Sequence, residues 1–323
     1  MSMHDHRQRH RRWLAGLLVA VAVAAAAGCA ARPAGSAQTG PDAPDVVFAA
    51  VPATGAAALY IAQDRGLFAK AGVRVRIDSS VSAAAVLPAL VHGSVDVSLG
   101  QWTSALAAQA RGIRLRAVAA GNTGARGLEE LVSVPGYGVS RPGQLADKTI
   151  AVNALGGLSQ LLAEAALAAD GVRPASLHWV AVPFPDMAAV LSERRADAAF
   201  MIQPYLTASH LTELADIDTG TTAGFPITGY VTTPGWASSH PATLAAITRA
   251  LAQGQQIAAT DPAAVAQAVA RHTGIKVSTG MPLGGFPPAV SAAQLTRVAT
   301  LMRQYRLLPA TTDPAALARE ILP

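Results

Sequence analysis

The feature that most constrains this chain is an alternation: between residues 46 and 233, short runs rich in β-branched residues take turns with longer Ala- and Leu-rich stretches. Parallel strands need a long crossover connection, and a helix is the usual one, so the pattern predicts α/β architecture with parallel sheets covered by helices. The runs predict strands at 46–51, 73–77, 95–99, 115–119, 131–134, 149–152, 178–182, 198–202 and 230–233. The stretches predict helices at 56–71, 82–92, 103–111, 157–170, 186–195, 241–260, 262–272 and 292–305. From Pro241 onward the pattern reads as wholly helical.

Two segments echo each other. "AAVLPALVHGSVDVSLGQ", ending at Gln101, and "AAVLSERRADAAFMIQ", ending at Gln203, each read as an apolar helix, an Asp, and a buried strand closing on Gln. The echo implies two α/β lobes of similar construction, each ending a strand where an open sheet binds ligands.

Charge and cysteine narrow the function. The formal charge is +5, but Arg7, Arg9, Arg11 and Arg12 against Asp5 place +3 of it in the first 28 residues. Only Lys70, Lys148 and Lys276 supply lysine, in no basic run, so the footprint of a nucleic-acid binder is missing. The sole cysteine, Cys29, excludes an intrachain disulfide and a cysteine-rich metal site. Ahead of it a basic segment leads into an apolar stretch from Leu14 to Ala27, too short to span a bilayer, and then into Ala26-Ala27-Gly28-Cys29. This order predicts a signal peptide over 1–28. Ala26-Ala27-Gly28-Cys29 resembles a bacterial lipobox with Ala26 at the usual Leu position, which implies lipidation of Cys29. Arg11-Arg12-Trp13-Leu14 faintly resembles a twin-arginine signal. Residues 29–44, rich in Ala, Gly, Pro, Ser and Thr, read as a lipid-anchored linker.

Enzyme signals fail. Gly157-Leu158-Ser159 begins like a nucleophile elbow but lacks the second glycine, and a helix start explains it better. His92, His178, His210, His240 and His272 lie far apart without metal-ligand spacing, while His4, His6 and His10 fall in the leader. There is no phosphate-binding glycine loop, and "PLGGFPP" reads as a turn-rich loop. No cofactor and no metal are expected.

Four segments, taken in order, resemble one family. "YIAQDRGLFAKAGVRVRI" resembles the A-x-x-x-G-L-F-x-x-x-G-L-x-V signature of binding proteins for nitrate, sulfonates, taurine and thiamine pyrimidine precursors. "LVHGSVDVSLG" is similar to its L-x-x-G-x-V-D-V, and "LADKTIAVNALGG" to its L-K-G-K-x-V-A-V-x-x-G-S. "LSERRADAAFMIQP" is similar to its L-x-x-G-x-V-D-A-x-x-x-x-x-P, with Arg195 where glycine is usual and Gln203 where an acid is common. A physical reading stands beside the first match: a helix ends near Gly66, Leu67 and Phe68 pack under it, and Gly72 turns the chain into a strand.

The resemblance implies a type II periplasmic binding protein, two α/β lobes joined by two crossover strands, with lobe I at 45–132 and 232–323 and lobe II at 133–231. It further implies a lipoprotein on the outer face of the cytoplasmic membrane, a monomer that passes its solute to an ABC permease and ATPase. The rival it leaves open is an enzyme on the same fold, of desulfinase or pyrimidine-synthase type. Junctions after the strands supply the expected ligand contacts: Thr54, Gly55, Gln101, Trp102 and Thr103 from lobe I, and Asn153, Gly156, Ser159, Phe184, Asp186, Gln203 and Tyr205 from lobe II. Trp102, directly after Gly100-Gln101, is expected to project toward the cleft.

Overall fold

The structure, a computed structural model, describes residues 43–79, 85–274, 276–278 and 280–323. The leader, Cys29, the linker up to residue 42 and the start of the helix expected at 82–92 lie outside these residues. In chain order the described strands are β1 (Asp45–Ala50), β2 (Arg74–Asp78), β3 (Val97–Gln101), β4 (Arg116–Ala120), β5 (Glu129–Ser133), β6 (Thr149–Val152), β7 (His178–Ala181), β8 (Ala198–Ile202), β9 (Thr212–Asp216) and β10 (Thr228–Thr232). They form two five-stranded sheets, ordered β2-β1-β3-β10-β4 and β7-β6-β8-β5-β9. Each sheet is parallel except for one strand, β10 in the first and β5 in the second.

Those two antiparallel strands move the lobe boundaries. β5 belongs to the second sheet and β10 to the first, so the chain changes sheets between β4 and β5 and again between β9 and β10, ahead of the expected switches at Val132 and Val231. The reason is local: each crossover is a loop that ends just before its strand, whereas the resemblance had implied that the strands themselves carried the chain across. β9 was not expected at all. Its sequence, TELAD, buries only Leu214 and carries two acids, and it pairs only with β5, as suits a sheet edge.

The helices are α1 (Ala57–Asp64), α2 (Leu67–Lys70), α3 (Val86–Val91), α4 (Trp102–Ala110), α5 (Leu158–Ala169), α6 (Met187–Ser192), α7 (Tyr205–Ser209), α8 (Pro234–Ser239), α9 (Pro241–Thr260), α10 (Pro262–Thr273), α11 (Ala292–Gln304) and α12 (Pro314–Ile321). The helix expected over 56–71 is two, because Gly66 takes a left-handed φ of 63° between α1 and α2. Behind it Phe68 is buried, and its ring lies 5.8 Å from that of Phe48 in β1, a burial that stabilises by roughly 2–3 kcal/mol. The C-terminal region is not wholly helical. α10 stops at Gly274, and the Pro- and Gly-rich stretch that follows reaches back to pair Gly285 with Thr123 of the first crossover. α8 and α12 were missed, although Thr233-Pro234 and Asp313-Pro314 place a capping side chain and a helix-starting proline at their N-termini.

One face of the first sheet packs Phe48 and Tyr230 against α1, α2, α9 and α10. Its other face joins a cluster that runs from Leu106 of α4 through Leu295 and Met302 of α11 to Leu161 and Leu162 of α5 and Phe200 of the second sheet. The apolar core is therefore continuous from one sheet to the other. Among the described residues no helix is long and apolar enough to cross a membrane.

Candidate functional site

In both sheets the parallel strands deliver their C-terminal ends to the edge at which the crossovers run, so the loops that follow them form two facing rims. On the first rim, Thr54 is buried and Gly55 follows it in a short 3-10 turn. Asn122, just beyond β4, accepts a 2.6 Å hydrogen bond at Oδ1 from the Thr228 hydroxyl, and its own N–H donates to that hydroxyl at 3.0 Å. A Cβ on Gly55 would stand 2.8 Å from Asn122 Oδ1, so this approach requires glycine. Gln101, half-buried, lies opposite Thr228 in the β3–β10 register. The structure thus gathers Thr54, Gly55 and Gln101 with Asn122 and Thr228, which sequence reasoning missed. The polar Gly121-Asn122-Thr123 break directly after a predicted strand was the available signal.

On the second rim, Ser159 Oγ donates to Asn153 Oδ1 at 2.5 Å, closing the loop between β6 and α5. Gly156 has φ 66°, and its N–H donates to Gln160 Oε1 at 2.8 Å, while Gln160 Nε2 donates to Glu164 Oε1 at 2.7 Å. Burial raises the pKa of Glu164, partly offset by the Gln160 bond. Phe184, in the turn after β7, and Tyr205, at the start of α7, stack with ring centroids 5.9 Å apart and form one aromatic platform. Asp186 is exposed and its side chain makes no cap to α6.

Two expected contacts go elsewhere. Trp102 is only 1% exposed and belongs to the core, with its ring filling the space over Gly229, where a Cβ would come within 1.9 Å of the ring. The reason lies in the backbone. The Trp102 N–H donates to Ile227 O at 3.0 Å, which pins the start of α4 against β10 and turns the indole inward. Gln203 is buried and satisfied: Nε2 donates to Gly127 O at 3.0 Å, and Oε1 accepts from the Thr207 hydroxyl at 2.8 Å. It fastens the first crossover to α7 and presents nothing to a rim.

Beside the rims a groove of about 950 Å³ runs between the lobes. α3 and α4 make one wall, the first turn of α5 the other, and the end of α11 closes it. Thr103 and Gly156 line it, so these two expected residues share a cavity. The Thr103 hydroxyl, wholly buried, has no hydrogen-bond partner. His92, Arg111 and Arg306 also line the groove, and sequence reasoning assigned them nothing.

Acids gather where the crossovers meet β5 and β9. Glu129 is buried and its pKa is pushed up to about 8, by burial first and then by Asp218 and Asp216. Burial also lifts Glu130 to about 7, with Glu213 and Asp216 adding to the effect. Asp216 accepts from Gly127 N–H at 3.1 Å and from Asp218 N–H at 2.8 Å, which ties the second crossover to the first. Among the described residues no group of His, Cys, Asp and Glu is placed to hold a metal ion.

Two sheets of one design, each a helix-covered lobe, with two crossovers meeting at the facing strand ends, define the two-lobed periplasmic-binding-protein fold. The NMT1/THI5-like family model matches residues 53–265, and the chain belongs to that family. Among solved structures, the periplasmic aliphatic sulphonate binding protein SsuA from Escherichia coli superposes with a TM-score of 0.69 at 18% identity, covering 87% of this chain and 98% of its own. The periplasmic nitrate-binding protein NrtA from Synechocystis PCC 6803 gives 0.67 at 16% identity, covering 87% of this chain and 86% of its own. A DSZB mutant in complex with biphenyl-2-sulfinic acid gives 0.65 at 17% identity, over 86% of this chain and 96% of its own. Comparison with curated protein sequences finds no match.

Proposed function

We propose that this chain is an extracytoplasmic solute-binding lipoprotein of an ABC importer. It holds a small organic or anionic solute, sulfonate- or taurine-like or pyrimidine-like, between its two lobes, and hinge closure traps the solute before delivery to the permease and its ATPase. The observation that carries this reading is the pair of facing rims: Thr54, Gly55 and Gln101 on one lobe, and Asn153, Ser159 and the Phe184–Tyr205 platform on the other. Polar groups at strand ends fix an anionic or polar head, and the stacked rings offer a face to a planar or apolar portion. Membership of the NMT1/THI5-like family supports solute binding, and the names of the sulphonate- and nitrate-binding neighbours suggest the solute class. The order of residues before Cys29 supports a lipid anchor on the outer face of the cytoplasmic membrane. In this reading the chain acts as a monomer.

Binding without conversion is the favoured mode. The only cysteine lies upstream of both lobes. Of the histidines, His240 stacks on Trp236 and His272 stacks on Tyr60 while bonding Asp64, so neither is presented to a rim. Thermal-shift screening against taurine, alkanesulfonates, nitrate and aminopyrimidines, followed by calorimetry, tests the reading. A ligand at 100 times its Kd should stabilise by about 2.7 kcal/mol and be recovered chemically unchanged. Turnover of the bound compound would replace the carrier with an enzyme.

A further inference from the structure

The groove beside the rims has its own chemistry. α3 and α4 flank β3 in the chain and both run back against it, so their C-terminal ends, His92 and Arg111, stand at the same end of the groove. That end lies about 12 Å along α4 from Thr103, at 1.5 Å per residue. Arg306, left-handed at φ 63° just past α11, adds a second guanidinium to the lining. Among the described residues the side chains of His92, Arg111 and Arg306 make no ion pair or hydrogen bond, and no carboxylate lines the cavity. The two unpaired guanidinium groups, beside a cavity with no carboxylate in its lining, attract an anion.

The walls between are apolar. Leu87 and Val91 of α3 face the groove, as do Ile113, Met302 and Leu307. Val91 is 48% exposed, one of only three large apolar side chains so exposed among the described residues. At its opposite end α4 begins without a side-chain cap, and the buried Thr103 hydroxyl there is unpartnered. About 950 Å³ is near the upper end of the range for small-molecule sites.

We propose that this groove, which meets the second rim only around Gly156, is a second binding site for an organic anion with an apolar arm: the charged head lies between Arg111 and Arg306 with His92 beside them, and the arm along Leu87, Val91 and Leu307. Cationic side chains on one helix end and one loop, with a greasy channel leading from them, suit a carboxylate or sulfonate carrying an alkyl or aryl tail and suit neither a bare inorganic anion nor a neutral lipid.

Octanoate, titrated calorimetrically into the full chain, serves as the probe. The expected result is one-to-one binding that weakens at least tenfold in the Arg111→Ala/Arg306→Ala double variant, and at least tenfold when octanamide replaces octanoate. Val91→Asp, which sets a carboxylate in the channel, should weaken it comparably. Melting temperatures of both variants identify any loss due to misfolding, and hydrogen exchange on the parent reads the site without mutation: protection should fall on 87–92, 104–111 and 302–307. Absence of octanoate binding, equal binding of octanamide, unchanged affinity in the folded double variant, or protection confined to the loops after β6 and β7 would each overturn the proposal. None of these results bears on whether a taurine-like or pyrimidine-like solute binds between the rims.

Discussion

The two lobes solve one structural problem with the same parts. In the first, Asp96 precedes β3: its carboxylate accepts the Val47 N–H at 2.8 Å, its N–H donates to Val47 O, and its carbonyl accepts the Thr232 hydroxyl at 2.6 Å. In the second, Asp197 precedes β8: its carboxylate accepts the Thr149 N–H at 2.9 Å, its N–H donates to Thr149 O, and its carbonyl accepts the Ser133 hydroxyl at 2.7 Å. Each Asp clamps the start of a central strand to its parallel neighbour, and a hydroxyl from the antiparallel strand closes the third side. Even the irregularities correspond, since β10 and β5 both shift register midway along their outer ladders. The lobes differ at the opposite ends of these strands. β3 leads straight into α4 with Trp102 buried over Gly229, whereas β8 leads into Gln203 and a cis bond to Pro204, with Gln203 bonded to the first crossover. The scaffold is repeated, and the asymmetry is concentrated where a ligand would be met.

If the asymmetry is structural at Trp102, then Trp102→Ala should cost about 3–5 kcal/mol of stability, as truncation of buried Trp does, with a large fall in melting temperature. A variant that melts like the parent would place the indole outside the core. The repeated clamp predicts a matched pair of smaller effects. Asp96→Ala and Asp197→Ala each leave a part-buried backbone N–H without its acceptor, and each should cost about 1–3 kcal/mol in chemical denaturation. Unequal losses, with one near zero, would break the correspondence between the lobes.

The acids at the crossovers predict a pH effect. A carboxylate whose folded pKa is raised contributes stability that is fully present below its unfolded value and is lost as pH rises through the folded one. For Glu129 that window runs from about 4.5 to about 8. The parent should therefore lose several degrees of melting temperature relative to Glu129→Gln between pH 5 and pH 8.5, with the two converging at the acid end. A constant gap across that range would remove Glu129 as the cause.

The smallest expected effect tests the finest match between lobes. Gly93 (φ 76°) and Arg194 (φ 60°) occupy equivalent left-handed positions after α3 and α6. Left-handed backbone costs a residue with a Cβ roughly 1–2 kcal/mol, so Gly93→Ala should destabilise by about 1 kcal/mol. Arg194→Gly should change stability by less, because the backbone relief is offset by loss of the guanidinium lying 4.9 Å from the Tyr137 ring centroid. A larger loss at Arg194 than at Gly93 would contradict the equivalence.

How far the sequence reveals this molecule depends on what kind of signal each part leaves. Apolar runs disclosed nearly every central strand, because a strand buried on both faces is apolar along its length. β9 left no such run, being a polar edge, whereas the Pro- and Gly-rich segment after α10 was legible as a loop even within a stretch otherwise read as helical. The echo was legible, but its register was not. Arg194 takes the left-handed glycine position of Gly93, where the sequence comparison had pointed to Arg195, and the two Asp residues then align without a gap. Gln101 ends β3, while Gln203 lies one residue past β8, so the two Gln residues are not counterparts. Site residues were hardest to assign. Trp102 and Gln203 follow strands just as Asn153 and Phe184 do, and only tertiary contacts with Gly229 and Gly127 separate core from rim. The cationic groove draws on three distant segments, and no local pattern announces such a meeting.

The central claim is that two repeated lobes close on a solute held between their rims, and an inter-lobe distance tests it most directly. Spin labels on cysteines introduced at the exposed positions Arg114, just ahead of β4, and Arg173, just after α5, report one lobe each. Pulsed dipolar spectroscopy would compare the apo protein with the protein saturated by the tightest compound from the thermal-shift panel. The compound should shift the distance distribution to a shorter, narrower population, and Asn153→Ala should suppress the shift together with the affinity. Saturation with an unchanged distribution would show a rigid site, and the capture-by-closure account would be contradicted.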